Sequence, residues 1–97
     1  MRKIRWNKLA KEDYYHTIDY LLEEWSEKEA QQFIDDVSGI IHLLHTGNVD
    51  FQKTDYQNIR RCVVREQIIL YYKILDKHTI ELLRFWNTYQ DDQNIEL

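Results

Sequence analysis

The chain has 97 residues, with 13 lysines and arginines against 17 aspartates and glutamates, which gives a formal net charge of −4. Its length fits one domain, and its 43% hydrophobic content supports a packed core, which excludes a wholly disordered chain. The lack of a long apolar run excludes a spanning helix, and the single cysteine, Cys62, excludes an internal disulfide and a cysteine-cluster zinc site.

We therefore expect one domain over residues 1–97, with about the last seven residues loosely held. The N-terminus is basic but has no apolar stretch behind it, so we expect no secretory signal and a cytoplasmic protein. The most basic segment, residues 47–76, carries five basic groups against four acidic ones. Nucleic-acid binders usually show a clear basic excess, so we expect no direct binding of free nucleic acid, and no membrane partner.

The first half of the chain predicts a helical hairpin. Residues 8–25 carry apolar side chains at three- and four-residue steps, which is typical of a helix with one buried stripe. That stripe consists of Ala10, Tyr14, Ile18, Leu21, Leu22 and Trp25. Asn7 is a suitable cap for this helix, while Ser26 and Glu29 form a capping box that starts a second helix, ending at Gly47. Because almost no loop separates the two helices, we expect them to be antiparallel.

The second half predicts strands. Residues 58–64 are rich in β-branched side chains, and residues 68–75 are apolar on both faces apart from Lys73, which favours a central strand. Residues 79–86 predict a further strand, and residues 2–6 are a candidate edge strand. The expected fold is α+β, with the helical hairpin packed on one face of a small antiparallel sheet of three to four strands.

A set of short motifs runs through both halves in a definite order. The helices carry Ala10-x-x-Asp13, residues 18–21 (IDYL), Trp25, Ala30 and residues 33–34 (FI). The strands carry residues 59–60 (IR), 69–74 (ILYYKI) and 80–86 (IELLRFW). In order and spacing these motifs resemble the RelE/ParE superfamily of bacterial toxins, over nearly the whole chain.

That resemblance implies the toxin of a type II toxin–antitoxin pair, as used in plasmid stabilisation, held inactive by a cognate antitoxin. A homodimer and a toxin–antitoxin hetero-oligomer are both open as assemblies, because the sequence does not determine the oligomeric state. ParE-like members inhibit DNA gyrase by binding, whereas RelE-like members cleave mRNA on the ribosome. The long hairpin with Tyr20-Leu21-x-x-x-Trp25 is more similar to the ParE side, so gyrase binding is the first hypothesis. A ribosome-dependent mRNA endonuclease and an inactive interaction module remain the alternatives.

Two departures from the family pattern bear on these alternatives. Many relatives have an acidic residue and then an arginine after the last strand, whereas residues 87–90 here are Asn-Thr-Tyr-Gln. The frequent proline after the second helix is replaced by residues 45–48, His-Thr-Gly-Asn. The first departure removes a positive charge from this end of the sheet, which counts against the endonuclease.

RNA cleavage by a 2′-hydroxyl needs a base, an acid and a cation beside the phosphate. The candidate catalytic residues are Arg61, Lys73, Arg84 and Tyr89, on or beside the predicted sheet. Alternate residues of a strand share a face, so only one of Arg60 and Arg61 can join such a cluster. No histidine or glutamate is evidently placed as the base, and the same cations also suit a solvated strand face.

The candidate partner-binding residues lie near predicted element ends. Trp6, Tyr56 and Tyr89 are aromatic anchors of the kind that dominate protein interfaces, and Arg60 and Arg65 are charged contacts beside them.

The remaining reactive side chains predict no chemistry. His42 and His45 lie three apart on the second helix but lack a third ligand at a telling spacing, so we expect no metal and no cofactor. Cys62 fits a small buried residue. The remaining aromatic side chains fit core positions better than base-stacking ones. These are Tyr14, Tyr15, Tyr20, Tyr71, Tyr72, Phe85 and Trp86.

Overall fold

Two helices pack on one face of a five-stranded sheet in the computed structural model, which describes residues 1–47 and 49–88. The elements are β1 (Lys3–Trp6), α1 (Lys8–Glu24), α2 (Glu27–Thr46), β2 (Gln52–Lys53), β3 (Ile59–Arg65), β4 (Ile68–Asp76) and β5 (Thr79–Asn87). Their order across the sheet is β1-β5-β4-β3-β2. The α+β class and the helical hairpin are thus confirmed, while the expectation for the last residues falls outside the described ranges.

Both helices begin at the predicted caps. The Asn7 side chain accepts a hydrogen bond from the amide of Ala10 at 2.8 Å, and the Ser26 hydroxyl accepts one from the amide of Glu29 at 3.2 Å. The capping box is used in one direction, because the Glu29 carboxylate lies 2.7 Å from the guanidinium of Arg65 on β3. Glu29, which the sequence predicts as part of the cap, therefore joins α2 to the sheet through its side chain.

The outer surface of the hairpin is more aromatic than predicted. Leu22 and Trp25, expected in the buried stripe of α1, are exposed, as are Tyr15 and Tyr20. Since α1 ends at Glu24, Trp25 stands at the corner between the helices instead of continuing the buried stripe. The side chains of the hairpin that are buried are Ala10, Ala30, Phe33, Val37 and Leu44.

The sheet is mixed, which corrects the antiparallel prediction. β4 is the central strand, as its apolar faces predicted, and it pairs antiparallel with β3 and β5. β1, however, pairs parallel with β5. The two helices follow β1 in the chain, so no tight turn joins it to its neighbour in the sheet and forces an antiparallel pairing. The two-residue β2 is too short for a periodicity signal, so the sheet has five described strands where three to four were predicted.

Both faces of the sheet carry buried apolar side chains. Leu70 and Tyr72 of β4 join the core beneath the helices, whereas Ile69 and Tyr71 point the other way, to what we call the far face. The buried cluster of the far face consists of Ile59, Ile69, Tyr71, Leu83 and Trp86.

A buried arginine joins the end of α2 to residues 49–50. Arg2 is 9% exposed, and its Nε donates to the carbonyl of Leu44 at 2.9 Å. Its two terminal nitrogens donate to the carbonyl of Val49 and to the carboxylate of Asp50, each at 3.0 Å. The main chain of Arg2 adds a bond from its amide to the carbonyl of His45 at 2.8 Å. These contacts secure Val49 and Asp50 to the end of α2.

The main chain of Phe51, just after these residues, is held from the sheet side. The amide of Phe51 donates to the Tyr72 hydroxyl at 2.9 Å, and Arg60 donates to the carbonyl of Phe51 at 2.9 Å. Burial, reinforced by the nearby Asp50 carboxylate, raises the pKa of Tyr72. Its hydroxyl therefore stays neutral at ordinary pH and continues to accept the Phe51 amide.

Replacing Arg2 should destabilise the protein strongly. We expect Arg2→Met to lower the free energy of unfolding by about 3 kcal/mol, because helix and loop carbonyls lose charged donors together. Urea unfolding of the purified chain measures this, with Lys3→Met as the exposed neighbouring control. A loss no larger than that of the control would contradict the structural role.

Substitution by alanine should change the stability in opposite directions at Gly47, the cap of α2, and at Gly39 within that helix. Gly47 has a φ of 78°, so Gly47→Ala should cost about 1 kcal/mol in left-handed backbone strain. Gly39 lies within α2 with nothing near an added Cβ, so Gly39→Ala should stabilise by about 0.5–1 kcal/mol. Thermal unfolding of both variants tests this, and shifts of the same sign would refute it.

Candidate functional site

Three side chains of the far face stand in register across three strands. Arg61 of β3 lies opposite Tyr71 of β4, which in turn lies opposite Arg84 of β5. The Arg61 guanidinium carbon is 6.0 Å from the centre of the Tyr71 ring, within range of a cation–π contact. Lys73 is exposed two residues further along β4, on the same face. The structure thus brings three predicted catalytic residues onto one surface, while Tyr89 lies outside the described residues.

Arg84 is bound to a carboxylate of the first helix. Its Nε and one terminal nitrogen donate to the two carboxylate oxygens of Asp13, at 2.7 and 3.0 Å. One of those oxygens also accepts the amide of Phe85 at 3.1 Å. The guanidinium carbon lies 5.0 Å from the ring centre of Trp86. Since the Arg84 and Asp13 side chains are only 19% and 16% exposed, this bidentate pair is a fixed part of the fold.

The sequence carries no local signal that Asp13 is the partner of Arg84. Asp13 belongs to the Ala10-x-x-Asp13 motif, and Arg84 lies 71 positions further along the chain. Glu81, which β-pairing places opposite Lys73, was also not identified, and its carboxylate lies 4.0 Å from Arg5. The packing of α1 on the sheet decides the first neighbour and strand pairing decides the second, and no local spacing signals either of them.

Two of the predicted partner contacts, Arg60 and Trp6, make contacts within the fold. Arg60 points away from the far face and donates to the carbonyl of Phe51, so of the two adjacent arginines only Arg61 joins the row. Trp6 is half-buried, not exposed as expected, with its ring centre 5.2 Å from that of Tyr14 and 5.6 Å from that of Phe85. It is covered because β1 pairs with β5 and α1 begins almost immediately after it.

The other predicted contacts lie at the surface or at its edge. Tyr56 is exposed in the turn between β2 and β3, where the Thr54 hydroxyl accepts its amide at 3.1 Å. Arg65 is partly exposed and lies between Glu29, at 2.7 Å, and Asp36, at 3.9 Å. Their roles in binding a partner stay predictions.

The groups with shifted pKa values belong to the core. Burial raises the pKa values of Tyr14 and Tyr72, and it raises that of the Cys62 thiol to about 11. A thiol that stays protonated at neutral pH is a poor nucleophile, which agrees with the interpretation of Cys62 as a small buried residue. Within residues 1–47 and 49–88, no group of three or more potential ligands is placed to hold a metal ion. Neither described helix is long and apolar enough to span a membrane.

Two nitrogens of the far face are buried without a hydrogen-bond partner. They are Nε of Arg61 and Nε1 of Trp86. Folded cores usually satisfy such donors, and each unpaired one costs free energy.

A cleft of about 1030 Å³ opens between α1 and the end of the sheet. We call it the α1 cleft, and the described residues that line it are Asp13, His16, Thr17, Tyr20, Leu21, Trp25, Glu29, Arg65, Glu66, Gln67, Ile68, Arg84, Phe85 and Asn87. Two ion pairs that join helices to strands lie in it, Arg65 with Glu29 and Arg84 with Asp13. Arg84 thus belongs both to the cleft and to the far-face row.

Comparison with solved structures shows the same fold in toxin–antitoxin systems. A chain of the chromosomal ParDE system from Pseudomonas aeruginosa aligns with a TM-score of 0.72 at 14% identity, covering 90% of this chain and 96% of that one. A copper-bound mutant toxin from Helicobacter pylori aligns with a TM-score of 0.65 at 19% identity, covering 92% and 97%. A chain of the Escherichia coli DinJ–YafQ complex aligns with a TM-score of 0.62 at 13% identity, covering 92% and 96%.

At these identities the structural likeness shows the fold alone. No curated protein sequence matches the chain significantly. A family match, in contrast, covers residues 4–92, and the family is described as the ParE toxin of the type II toxin–antitoxin system parDE. This match spans both helices and all five strands of the described sheet, apart from the first residue of β1. The chain therefore belongs to the ParE toxin family of type II toxin–antitoxin systems.

Proposed function

We propose that this chain is a growth-inhibiting toxin that binds DNA gyrase in the bacterial cytoplasm and is neutralised by a cognate antitoxin. Membership of the ParE family supports the toxin role. The resemblance of its helical hairpin to ParE-like members supports gyrase as the target. Solved relatives from toxin–antitoxin systems support an antitoxin as the second partner.

The pairing of Arg84 with Asp13 is the observation on which the binding mode rests. A catalytic cation must be available to the charge that develops on the reacting phosphate. Arg84 already gives two donors to a carboxylate, which cancels much of its positive charge where the endonuclease alternative needs it. An arginine held in this way suits a preformed binding surface better than RNA cleavage.

The other cations of the far face fit the same interpretation. Arg61 lies against the Tyr71 ring, and Lys73 lies opposite Glu81, so each has a neighbour within the sheet. The endonuclease keeps one supporting observation, which is that Arg61, Tyr71 and Arg84 stand in a row across the strands. That row justifies a direct test of both activities.

Gyrase inhibition and RNA cleavage can be separated with the purified chain. We expect it to inhibit supercoiling by DNA gyrase and to leave mRNA on programmed ribosomes intact. In cells that lack the antitoxin, pulse-labelling should show DNA synthesis failing before protein synthesis. Earlier failure of protein synthesis with ribosome-dependent cleavage would establish the endonuclease, and unaffected growth at good expression would establish an inactive module.

A double-mutant cycle tests whether Arg84 stabilises the fold through its pairing with Asp13. Arg84→Ala and Asp13→Ala should each lower the free energy of unfolding by about 3 kcal/mol, because each strands a partly buried charge. The double variant should lose much less than the sum, since the two side chains bind each other. Arg61→Ala is the control from the same row, and additive losses at Arg84 and Asp13 would contradict the pairing.

A further inference from the structure

The first strand adds two cations to the far face. Ile4 and Trp6 of β1 pack against the core beneath the helices, so the alternate residues Lys3 and Arg5 lie on the far face. Both of these basic residues are exposed. In the register of the sheet Arg5 lies opposite Glu81 of β5. The far face therefore continues across β1 as a basic surface.

Three cations of the far face have no ion-pair partner among the described residues. They are Lys3, Arg61 and Lys73. Lys73 lies opposite Glu81 in the sheet, but the Glu81 carboxylate forms its ion pair with Arg5, at 4.0 Å. Like charges that share one face of a sheet repel each other when no counter-charge lies between them. These cations would therefore gain from contact with an anionic partner.

The helical layer on the other side of the sheet carries the opposite charge. Residues 8–46, which include both helices, contain three basic groups against nine acidic ones. The sheet thus separates an acidic side of the molecule from a basic one, and the net charge of −4 does not describe the far face. Since charges are screened over about 8 Å at physiological ionic strength, a partner in contact with the far face senses mainly its local cations.

An acidic protein surface fits the far face better than a nucleic acid does. The negative net charge and the acidic helical layer oppose the approach of an extended polyanion such as DNA. Val63 lies two residues from Arg61 on β3, on the same face, and is 60% exposed. An exposed apolar side chain beside an arginine suits a protein interface better than a phosphate backbone.

We propose that the far face binds an acidic surface of the protein that this toxin inhibits. Arg61 and Lys73 stand at the centre of the contact, with Lys3 and Arg5 at its β1 edge. Carboxylates of the target pair with these cations, and Val63 packs beside them. The identity of the target as DNA gyrase rests on the proposed function, whereas the place and charge of the contact rest on the strands described above.

Binding of the full chain to intact DNA gyrase in the absence of DNA tests this proposal. Arg61→Glu and Lys73→Glu should each raise the Kd at least tenfold in biolayer interferometry, because each sets a carboxylate against the acidic partner. Lys73→Arg keeps the positive charge and should leave the Kd unchanged within twofold.

Lys11→Glu is the matched control for the two charge reversals. It makes the same change of charge at an exposed position of α1, on the other side of the sheet. We expect it to leave the Kd unchanged within twofold, and thermal unfolding should confirm that all four variants fold. A loss of affinity equal to that of Lys73→Glu would show that net charge alone governs binding, which would overturn the proposed contact.

The outcomes separate this inference from the proposed function. Unchanged affinity of Arg61→Glu and Lys73→Glu, with tight binding of the unaltered chain, would overturn the far-face contact while leaving gyrase as the target. Failure of the unaltered chain to bind gyrase would refute the target itself. Short duplex DNA alone should not bind at physiological salt. DNA binding that Arg61→Glu abolishes would overturn the acidic protein surface in favour of a nucleic acid.

Discussion

The attachment of the helical hairpin to the sheet by arginine side chains is the constraint on which the described structure depends. Arg2 ties the N-terminal segment to the end of α2, Arg65 ties β3 to Glu29, and Arg84 ties β5 to Asp13. A planar guanidinium can donate several hydrogen bonds in fixed directions, which suits it to joining two layers. These bonds lie around the edge of the interface, while its centre is filled by apolar side chains.

The same attachment shapes the surfaces available for binding. Arg65 and Arg84 hold α1 and α2 over the end of the sheet, and the space left between them is the α1 cleft. Arg84 also stacks on Trp86 of the far face, so one side chain contributes to both surfaces. Because its guanidinium is bound to Asp13, Arg84 has a fixed position in both surfaces.

Local signals predicted most of the elements but few of their partners. The caps at Asn7, Ser26 and Gly47 act within one turn of helix, so their chemistry is readable from adjacent residues. Glu29 shows the limit of such local prediction. Its carboxylate was expected to bond to the start of α2, but it accepts a hydrogen bond from Arg65, which is 36 positions away. The parallel pairing of β1 could not be predicted either, since it depends on the path of the hairpin across the sheet.

The sequence by itself determined the helical hairpin, the central place of β4 and the membership of a toxin family, because periodicity, caps and motif order are all local properties. Only the tertiary structure decided that Arg61 reaches the far face while Arg60 holds a loop, and that Arg84 is bound to Asp13. The physical reason is that a charged side chain can bind a ligand only when it is not already paired with another group of the protein. Those neighbours are set by packing between residues far apart in the chain.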